Sequence, residues 1–401
     1  MSTSFDPIAT LCRLIAYPSV SDQSNATISD DVTDVLQSLN FDVERTEYLD
    51  PAGTTKVNLV ARRDGDQATS ARLADRGLAD RGLVDRGLAD GGLAYFCHTD
   101  VVPAQDWTGP GGDPFNAVNE NGRIYGRGSC DMKGSLVAML AAAAQIDSSE
   151  QTAPLWIACT ADEEVGFQGA KDLVKQSAGY RQIVDRQPMS IIGEPTQLGA
   201  VHAHKGITGF AMTSRGLAAH SSLDQGINAN EAMVPMLQTL LELCDQSRTD
   251  PKYRDARFEP PTLSWNFGVS DGDSAINITP EKSTAWVTIR TMPEIDGEDL
   301  IQVAKAKAEE LGLEFKRYSG GAPLWIDRDA GCIQAIGDLT QSDPKTVCYA
   351  TDGGEFGELS QRVVCGPGNI AQAHTTDEYL ELDQLEKGID LFTRAIRRWC
   401  C

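Results

Sequence analysis

The chain has 401 residues and a mass of 43.2 kDa, a length that suits two domains. Its formal net charge is -23, because 58 acidic side chains outnumber 35 basic ones, which argues against nucleic acid or an anionic membrane as partner. The longest apolar run, residues 136–144, is too short to span a bilayer, which requires about 20 residues. Ten cysteines without a C-x-x-C pair favour reduced thiols, so we predict a cytoplasmic protein with no membrane segment.

The first 200 residues alternate short apolar runs with segments of helical periodicity. Asp6 and Pro7 open the first predicted helix, and apolar residues at helical spacing predict a second helix from Ile28. The predicted strands that follow are at 58–61, 93–97, 155–160 and 190–193, and the predicted helices between them are at 134–146 and 169–175. This alternation predicts an α/β fold in which helices cover a sheet.

A five-residue unit is repeated four times between Leu73 and Gly92, as LADRG, LADRG, LVDRG and LADGG. A glycine at every fifth position fits neither the helical nor the strand period. A binding arm is one interpretation of this segment. We favour a solvent-exposed hairpin loop lengthened by tandem expansion, because loops tolerate insertions at a small entropic cost.

From residue 207 the order of the predicted elements changes. Strand, helix, two strands, helix and strand are predicted in turn at 207–215, 228–244, 263–269, 284–290, 300–311 and 313–318. The order β-α-β-β-α-β is typical of a ferredoxin-like domain. We therefore predict an inserted second domain over 202–312, between the two parts of the first domain at 1–201 and 313–401. A final helix is predicted over 382–397.

Two ionisable residues follow the strand predicted at 93–97. His98 and Asp100, in HTDVVP, are two residues apart and lie on the same side of an extended chain. Ligands of open α/β sheets bind at the carboxyl ends of the strands. Asp100 can therefore fix the tautomer of a metal-binding His98, although a histidine beside an aspartate is also common at turns.

Asp131 lies in the motif GRGSCDMKG, where it ends a glycine-rich loop at the start of a predicted helix. It is either the N-cap of that helix or a metal ligand. The glycine spacing matches neither the phosphate loop nor the dinucleotide fingerprint, so we discard a nucleotide site at this loop.

Further acids follow the next two predicted strands. ADEEVG places three consecutive acids directly after one strand, and Glu194 follows the other in IIGEPT. Crowded carboxylates repel one another unless a cation lies between them, while a solvated run of charge is the alternative. His374, in AHTTDEY, follows a GPG turn.

Three strands thus place an acid or a histidine at one edge of the predicted sheet, and two more candidates lie on loops. Two histidines with several carboxylates suit borderline divalent metals, zinc first and then cobalt or manganese. Because the acids outnumber what one ion needs, we predict two ions that share a bridging carboxylate, with metal-bound water as the nucleophile.

Seven motifs in order, over nearly the whole chain outside residues 68–92, resemble the M20 family of metallopeptidases and deacylases. They are HTDVVP, GRGSCDMKG, ADEEVG, IIGEPT, HAHKG, GLAAHSS and GPGNIAQAHTTDEYLE. The resemblance implies a zinc-peptidase-like catalytic domain, an inserted dimerisation domain and hence a homodimer. It implies hydrolysis of N2-acetyl-L-ornithine to L-ornithine and acetate, a step of arginine biosynthesis. Hydrolysis of N-succinyl-diaminopimelate or of a dipeptide, and a non-catalytic scaffold, are the alternatives.

The resemblance also implies the ligands of two metal ions that share one bridging carboxylate, Asp131. His98 and Glu194 complete the first site, and Glu164 and His374 complete the second.

Catalytic and substrate-binding roles follow from the same resemblance. Glu163 is the general base, and Asp100 orients the histidine of the first site. His220 reaches from one subunit into the active site of the other to contact the developing oxyanion. Asn277 and Arg290 match positions that contact the carboxylate of the substrate, although a structural salt bridge explains Arg290 equally well.

The segment TDGGEF, residues 351–356, is the clearest departure from the deacetylases of the family. This leaves the preferred acyl group and side chain open. Asp352 and Glu355 are candidates to bind the side-chain ammonium of ornithine, and solvated positions in a loop are the alternative.

Overall fold

The computed structural model describes residues 5–65 and 91–401, and nearly all of the LADRG repeat lies outside them. The helices are α1 (Pro7–Ile15), α2 (Ala26–Ser38), α3 (Gly134–Ala144), α4 (Gln168–Gln176), α5 (Ala178–Arg186), α6 (Ala229–Thr249), α7 (Glu298–Glu310), α8 (Gly331–Thr340) and α9 (Leu382–Cys400). The first eight strands are β1 (Asp42–Leu49), β2 (Thr55–Arg63), β3 (Leu93–His98), β4 (Val118–Glu120), β5 (Arg123–Tyr125), β6 (Leu155–Thr160), β7 (Met189–Ile192) and β8 (Val201–His204). The other strands are β9 (Ile207–Arg215), β10 (Ser264–Ser270), β11 (Lys282–Arg290), β12 (Glu314–Gly321), β13 (Leu324–Trp325), β14 (Lys345–Val347), β15 (Arg362–Val364) and β16 (Tyr379–Glu381).

The described chain divides into two compact units. The first contains the described residues up to Ala203 together with Ile326–Lys345 and Thr351–Cys401. The second contains His204–Trp325 and Thr346–Ala350. Among the described residues, no helix combines the length and the apolar character needed to cross a membrane.

The first unit is built on a sheet in which the strand order is β1-β2-β6-β3-β7-β15-β8. At its centre β3 pairs in parallel with β6 and with β7, and β15 continues the parallel arrangement beside β7. All residues of β3 and β6 are buried, as is typical of parallel strands with helices on both faces. The prediction that three strands end at a common edge is confirmed, since β6, β3 and β7 are parallel neighbours.

The helical core of the first unit lies around α3. Ten of its eleven residues are buried, and a helix that is apolar on all sides belongs inside a core. The amphipathic α9 packs against it, and Phe392 of α9 contacts Tyr95 of β3 edge-to-face, with ring centroids 5.4 Å apart. The predicted cap of α1 is present, because the Asp6 carboxylate accepts a hydrogen bond from the backbone N–H of Ala9 at 3.0 Å.

The second unit contains an antiparallel sheet in the order β10-β11-β9-β12, and α6 packs on two of these strands. Along the chain the elements run β9-α6-β10-β11-α7-β12, which is the predicted β-α-β-β-α-β order. β11 alternates buried and more exposed residues, as expected of a strand with one face on a core. The sheet continues past the predicted boundary at residue 312, because β12, from Glu314, pairs with β9 and completes it.

Candidate metal centre

His98 is the last residue of β3 and is 1% exposed. Its Nδ1 lies 2.9 Å from the backbone carbonyl oxygen of Asp100, to which it donates a hydrogen bond. Its Nε2 lies 3.1 Å from Oδ1 of Asp131 and 3.9 Å from Oε1 of Glu194. Burial acts to lower the pKa of His98, but the hydrogen bond to Asp131 and the surrounding carboxylates raise it well above its usual value. The strand end therefore points one ring nitrogen into a group of acids.

The carboxylate of Asp100 forms its hydrogen bonds with groups other than this histidine. Its Oδ1 is 3.6 Å from Nδ1 of His98, which is longer than a hydrogen bond. Its two oxygens accept hydrogen bonds from Oγ of Ser21 at 2.7 Å and from the backbone N–H groups of Glu163 at 3.2 Å and Glu164 at 3.4 Å. The main chain of Asp100 therefore orients the imidazole, while its side chain holds the turn on which both glutamates lie.

That turn follows β6 and begins with Asp162, which has a left-handed backbone with φ of 55°. The carboxylate of Asp162 is 2.8 Å from Nζ of Lys56 and accepts a hydrogen bond from the hydroxyl of Tyr48 at 2.7 Å. Lys56 is 1% exposed and also donates to the backbone carbonyl of Ser21 at 2.6 Å. A buried ion pair and the Asp100 carboxylate thus fix the backbone of this turn from two sides.

Glu163 and Glu164 are both removed from solvent. Burial raises the pKa of Glu163 well above its usual value, and the neighbouring Glu194 adds to the shift. Burial also raises the pKa of Glu164, although His374 opposes the shift. A carboxylate with a raised pKa suits a general base that works near neutral pH.

Asp131 lies in the helical turn Ser129–Lys133 that precedes α3. The N-cap interpretation is wrong, because α3 begins at Gly134 and Lys133 occupies its N-cap position. The two oxygens of Asp131 face different histidines: Oδ1 is 3.1 Å from Nε2 of His98, and Oδ2 is 3.4 Å from Nε2 of His374. Burial acts to raise the pKa of Asp131, but these two histidines lower it overall. This is the arrangement that a bridging carboxylate requires.

His374 lies on a loop after β15 and adopts a left-handed backbone with φ of 64°. Its Nε2 is 3.0 Å from Oε2 of Glu164. The hydrogen bonds to Asp131 and Glu164 raise the pKa of His374 to about 10. Its side chain is 51% exposed, which makes this half of the cluster the more accessible one.

The residues predicted as metal ligands are therefore close together in the first unit. His98, Asp131 and Glu164 each offer one ligand atom, and these atoms lie within 4.8 Å of one another. Glu194, which follows β7, is 4% exposed, and burial raises its pKa well above its usual value. Buried carboxylates at such short distances repel one another unless cations lie between them, so the donor set fits divalent metal ions.

The other predicted residues lie in the second unit. His220 and Asn277 are on paired segments, because His220 forms a β-bridge with Ile278 and the carbonyl of Asn277 accepts from the N–H of Ser221 at 3.0 Å. Both side chains are exposed. Arg290 is the last residue of β11.

Two buried acids have contacts that sequence reasoning did not assign. Asp352 is 4% exposed, so the solvated-loop interpretation does not hold for it, and it accepts a hydrogen bond from Oγ1 of Thr160 at 2.5 Å. Burial raises the pKa of Asp352 to about 7. Glu378 is fully buried and bonds to the loop that contains Asp131. Glu378 lies four residues after His374 in the motif GPGNIAQAHTTDEYLE, and this proximity is the sequence signal for a place near the site.

Comparisons with known proteins identify the family. The sequence profile of Peptidase family M20/M25/M40 matches residues 94–398. The acetylornithine deacetylase of Myxococcus xanthus is 32% identical over 403 residues, which cover 98% of this chain and 97% of the relative. The acetylornithine deacetylase of Pasteurella multocida (strain Pm70) is also 32% identical, over 96% of both chains.

Solved structures show the same fold. The di-peptidase Dug1p from Saccharomyces cerevisiae has a TM-score of 0.74 at 18% identity and covers 98% of this chain and 95% of its own. Human carnosine dipeptidase 1 has a TM-score of 0.72 at 15% identity, over 98% and 96%. A Bacillus subtilis protein described as a dinuclear metal binding peptidase from M20 family has a TM-score of 0.56 at 13% identity, over 98% and 96%.

Proposed function

Because this chain belongs to Peptidase family M20/M25/M40 and is a hydrolase that acts on amides, we propose that it deacetylates N2-acetyl-L-ornithine, releasing L-ornithine and acetate. One structural observation supports the chemistry above all: the two oxygens of Asp131 face two different histidines within a cluster of buried carboxylates. The choice of substrate is supported by identity along almost the whole chain to relatives named acetylornithine deacetylase.

The cluster would hold two divalent ions, for which zinc is the first choice and cobalt or manganese the next. His98, Asp131 and Glu194 would hold one ion, and Asp131, Glu164 and His374 would hold the other. When bound, such ions lower the pKa of a coordinated water toward neutrality and polarise the carbonyl of the substrate.

Glu163 moves the proton in this reaction. It accepts a proton from the attacking water and returns it to the nitrogen of the leaving amine. Its burial favours the neutral acid, so the carboxylate is basic enough to take that proton near neutral pH. Asp100 positions it through the hydrogen bond from the Glu163 backbone N–H.

The second unit supplies substrate contacts and a dimer interface. His220 of the partner subunit donates a hydrogen bond to the oxyanion, and Asn277 and Arg290 bind the carboxylate of the substrate. The dimer is supported by α6, where Val234 is 65% and Leu241 is 58% exposed, seven residues apart on one helix face. β10 is an edge strand of the sheet, which suits pairing with another chain.

Hydrolysis of three amides tests this function. Purified protein is stripped of metal, and N-acetyl-L-ornithine, N-succinyl-L,L-diaminopimelate and a dipeptide are then compared with added zinc and with chelator. We expect kcat/KM for the acetyl compound to exceed the others by about 100-fold or more, because buried polar groups discriminate strongly between ligands. Chelator should abolish the activity, and zinc should restore it.

The other outcomes separate the alternatives. A preference for the succinyl compound or the dipeptide would retain the metal site and overturn the substrate. Zinc binding without hydrolysis of any of the three amides would favour a non-catalytic scaffold. Hydrolysis that persists at full rate in chelator would contradict the metal mechanism.

A further inference from the structure

Glu378 is a fully buried carboxylate that the proposed chemistry leaves without a role. Each of its two carboxylate oxygens accepts two hydrogen bonds. Oε1 accepts from the backbone N–H groups of Cys130 at 2.8 Å and Asp131 at 3.0 Å. Oε2 accepts from the backbone N–H of Gly128 at 3.1 Å and from Nη1 of Arg127 at 2.5 Å. One side chain therefore binds most of the loop on which Asp131 lies.

Arg127 makes the reverse connection. It is 3% exposed, and its Nη2 donates to the backbone carbonyl of Thr375 at 3.1 Å and to that of Pro103 at 3.3 Å. Thr375 directly follows His374 in the sequence. The loop of Asp131 and the loop of His374 are thus joined in both directions, by Glu378 from one side and by Arg127 from the other.

No strand pairing fixes either of these two site residues. Asp131 has non-helical backbone angles of φ -124° and ψ 94°, and the backbone of His374 is in the left-handed conformation. The regular element nearest to His374 in the sequence is β16, whose pairing with β5 begins at Tyr379, one residue after Glu378. Hydrogen bonds to a charged carboxylate are short, directional and stronger than neutral ones, so they can set the positions of such loops.

We propose that Glu378 and Arg127 form a clamp that sets the separation of Asp131 and His374, and that both are positioning residues for the second metal ion. This rests on the proposed two-metal function. The first ion shares Asp131 with the second, but its other two ligands are held by the sheet, because His98 ends β3 and Glu194 follows β7. The second ion has two ligands, Asp131 and His374, on the clamped loops, so the clamp affects the second ion more strongly than the first. Residues that orient metal ligands typically change metal affinity by about 10- to 100-fold when substituted.

The test titrates Zn²⁺ alone into metal-free full-length protein by calorimetry. His374→Ala and His98→Ala identify which binding event belongs to which ion. In Glu378→Gln an amide nitrogen replaces one of the two carboxylate oxygens. This nitrogen cannot accept a hydrogen bond, so two of the four donors lose their acceptor. We expect the second ion to bind about 10- to 100-fold more weakly. The first ion should weaken by a smaller factor, because only its bridging ligand, Asp131, lies on a clamped loop.

Three further variants separate positioning from folding. Arg127→Lys keeps the charge but loses the planar fork, and should weaken the same ion. Glu378→Asp keeps the carboxylate and should recover part of the affinity. Asp255→Asn is the matched control, because Asp255 is a buried, arginine-paired carboxylate in the second unit, bonded to Arg257 at 2.6 Å. It should leave both zinc affinities unchanged.

Spectra of the Co²⁺ form provide a second readout. In Glu378→Gln the visible absorption of the second ion should change, since its ligands shift, and higher Co²⁺ should restore occupancy. Wild-type affinity for both ions in Glu378→Gln and Arg127→Lys, or equal weakening of both ions, would overturn the clamp. If the wild-type protein binds no zinc at all, the proposed function fails instead.

Discussion

The two halves of the metal centre are held by different kinds of interaction. His98 is the last residue of β3 and Glu194 follows β7, and backbone pairing in a buried parallel sheet sets their positions. Asp131 and His374 lie on loops, where individual polar side chains replace that pairing. A sheet distributes positional control over many apolar contacts, whereas a loop depends on a few polar ones. We therefore expect substitution of a side chain that holds a loop to affect a single metal ligand or ion. Substitution of a residue packed against the strands should instead affect the whole sheet.

Glu163 and Glu164 are an intermediate case. They follow the buried strand β6, but Asp162 begins their turn in a left-handed conformation. The turn is held by Asp100 and by the buried pair of Asp162 with Lys56.

The largest expected effect separates chemistry from position within the turn. Glu163→Gln keeps the shape of the side chain but removes the base, so kcat should fall by about 10²- to 10⁴-fold. Bound zinc, measured by elemental analysis, should remain at the wild-type level, because Glu163 is not one of the proposed ligands. Glu358→Gln, an exposed partner of Arg181, is the control and should keep full activity. Loss of metal in parallel with activity would assign Glu163 to the ligands.

The next effect concerns the ion pair behind the turn. Lys56→Met leaves Asp162 buried without its cation, and breaking such a pair typically destabilises a protein by about 3–5 kcal/mol. Denaturant unfolding of the metal-free protein should show a loss of that order. Lys252→Met is the control, because its pair with Asp299 is exposed and worth about 0–1 kcal/mol. Equal effects of the two substitutions would contradict the importance of the buried pair.

The smallest effect is a pH dependence at Asp352. Burial raises the pKa of Asp352 to about 7, whereas an aspartate in an unfolded chain has a pKa of about 3.9. Between these values the folded protein binds more protons than the unfolded chain, so the contribution of Asp352 to stability falls as pH rises from about 4 to about 7. Asp352→Asn removes this titration and still accepts from Thr160.

Thermal unfolding of the metal-free protein measures this effect. The midpoint of Asp352→Asn minus that of the wild type should increase from pH 5 to pH 7. Glu358→Gln serves again as the surface control, and its difference from the wild type should stay constant. A constant difference for Asp352→Asn would mean that this carboxyl is ionised across the whole interval.

The parts of the site that could be predicted are those next to regular secondary structure. Apolar runs indicated the strands that end at His98 and Glu194, and parallel strands bring their carboxyl ends to one edge. Asp131 and His374 were candidates from loop motifs, which no periodicity indicates, and the family resemblance gave them their ligand roles. Glu378 lies in the same motif as His374, but no local pattern indicates its role, because its partners lie 247 to 251 residues earlier in the chain.

The sequence by itself determined the α/β class, the β-α-β-β-α-β order of the second unit, the cap at Asp6 and the family, because local patterns encode these features. Only the tertiary structure decided that Asp131 faces two histidines, that Asp352 is buried and that Glu378 binds the Asp131 loop. It also placed β12 beside β9, beyond the expected boundary at residue 312. Each of these depends on contacts between distant parts of the chain, and a single sequence specifies such contacts only through packing of the whole unit.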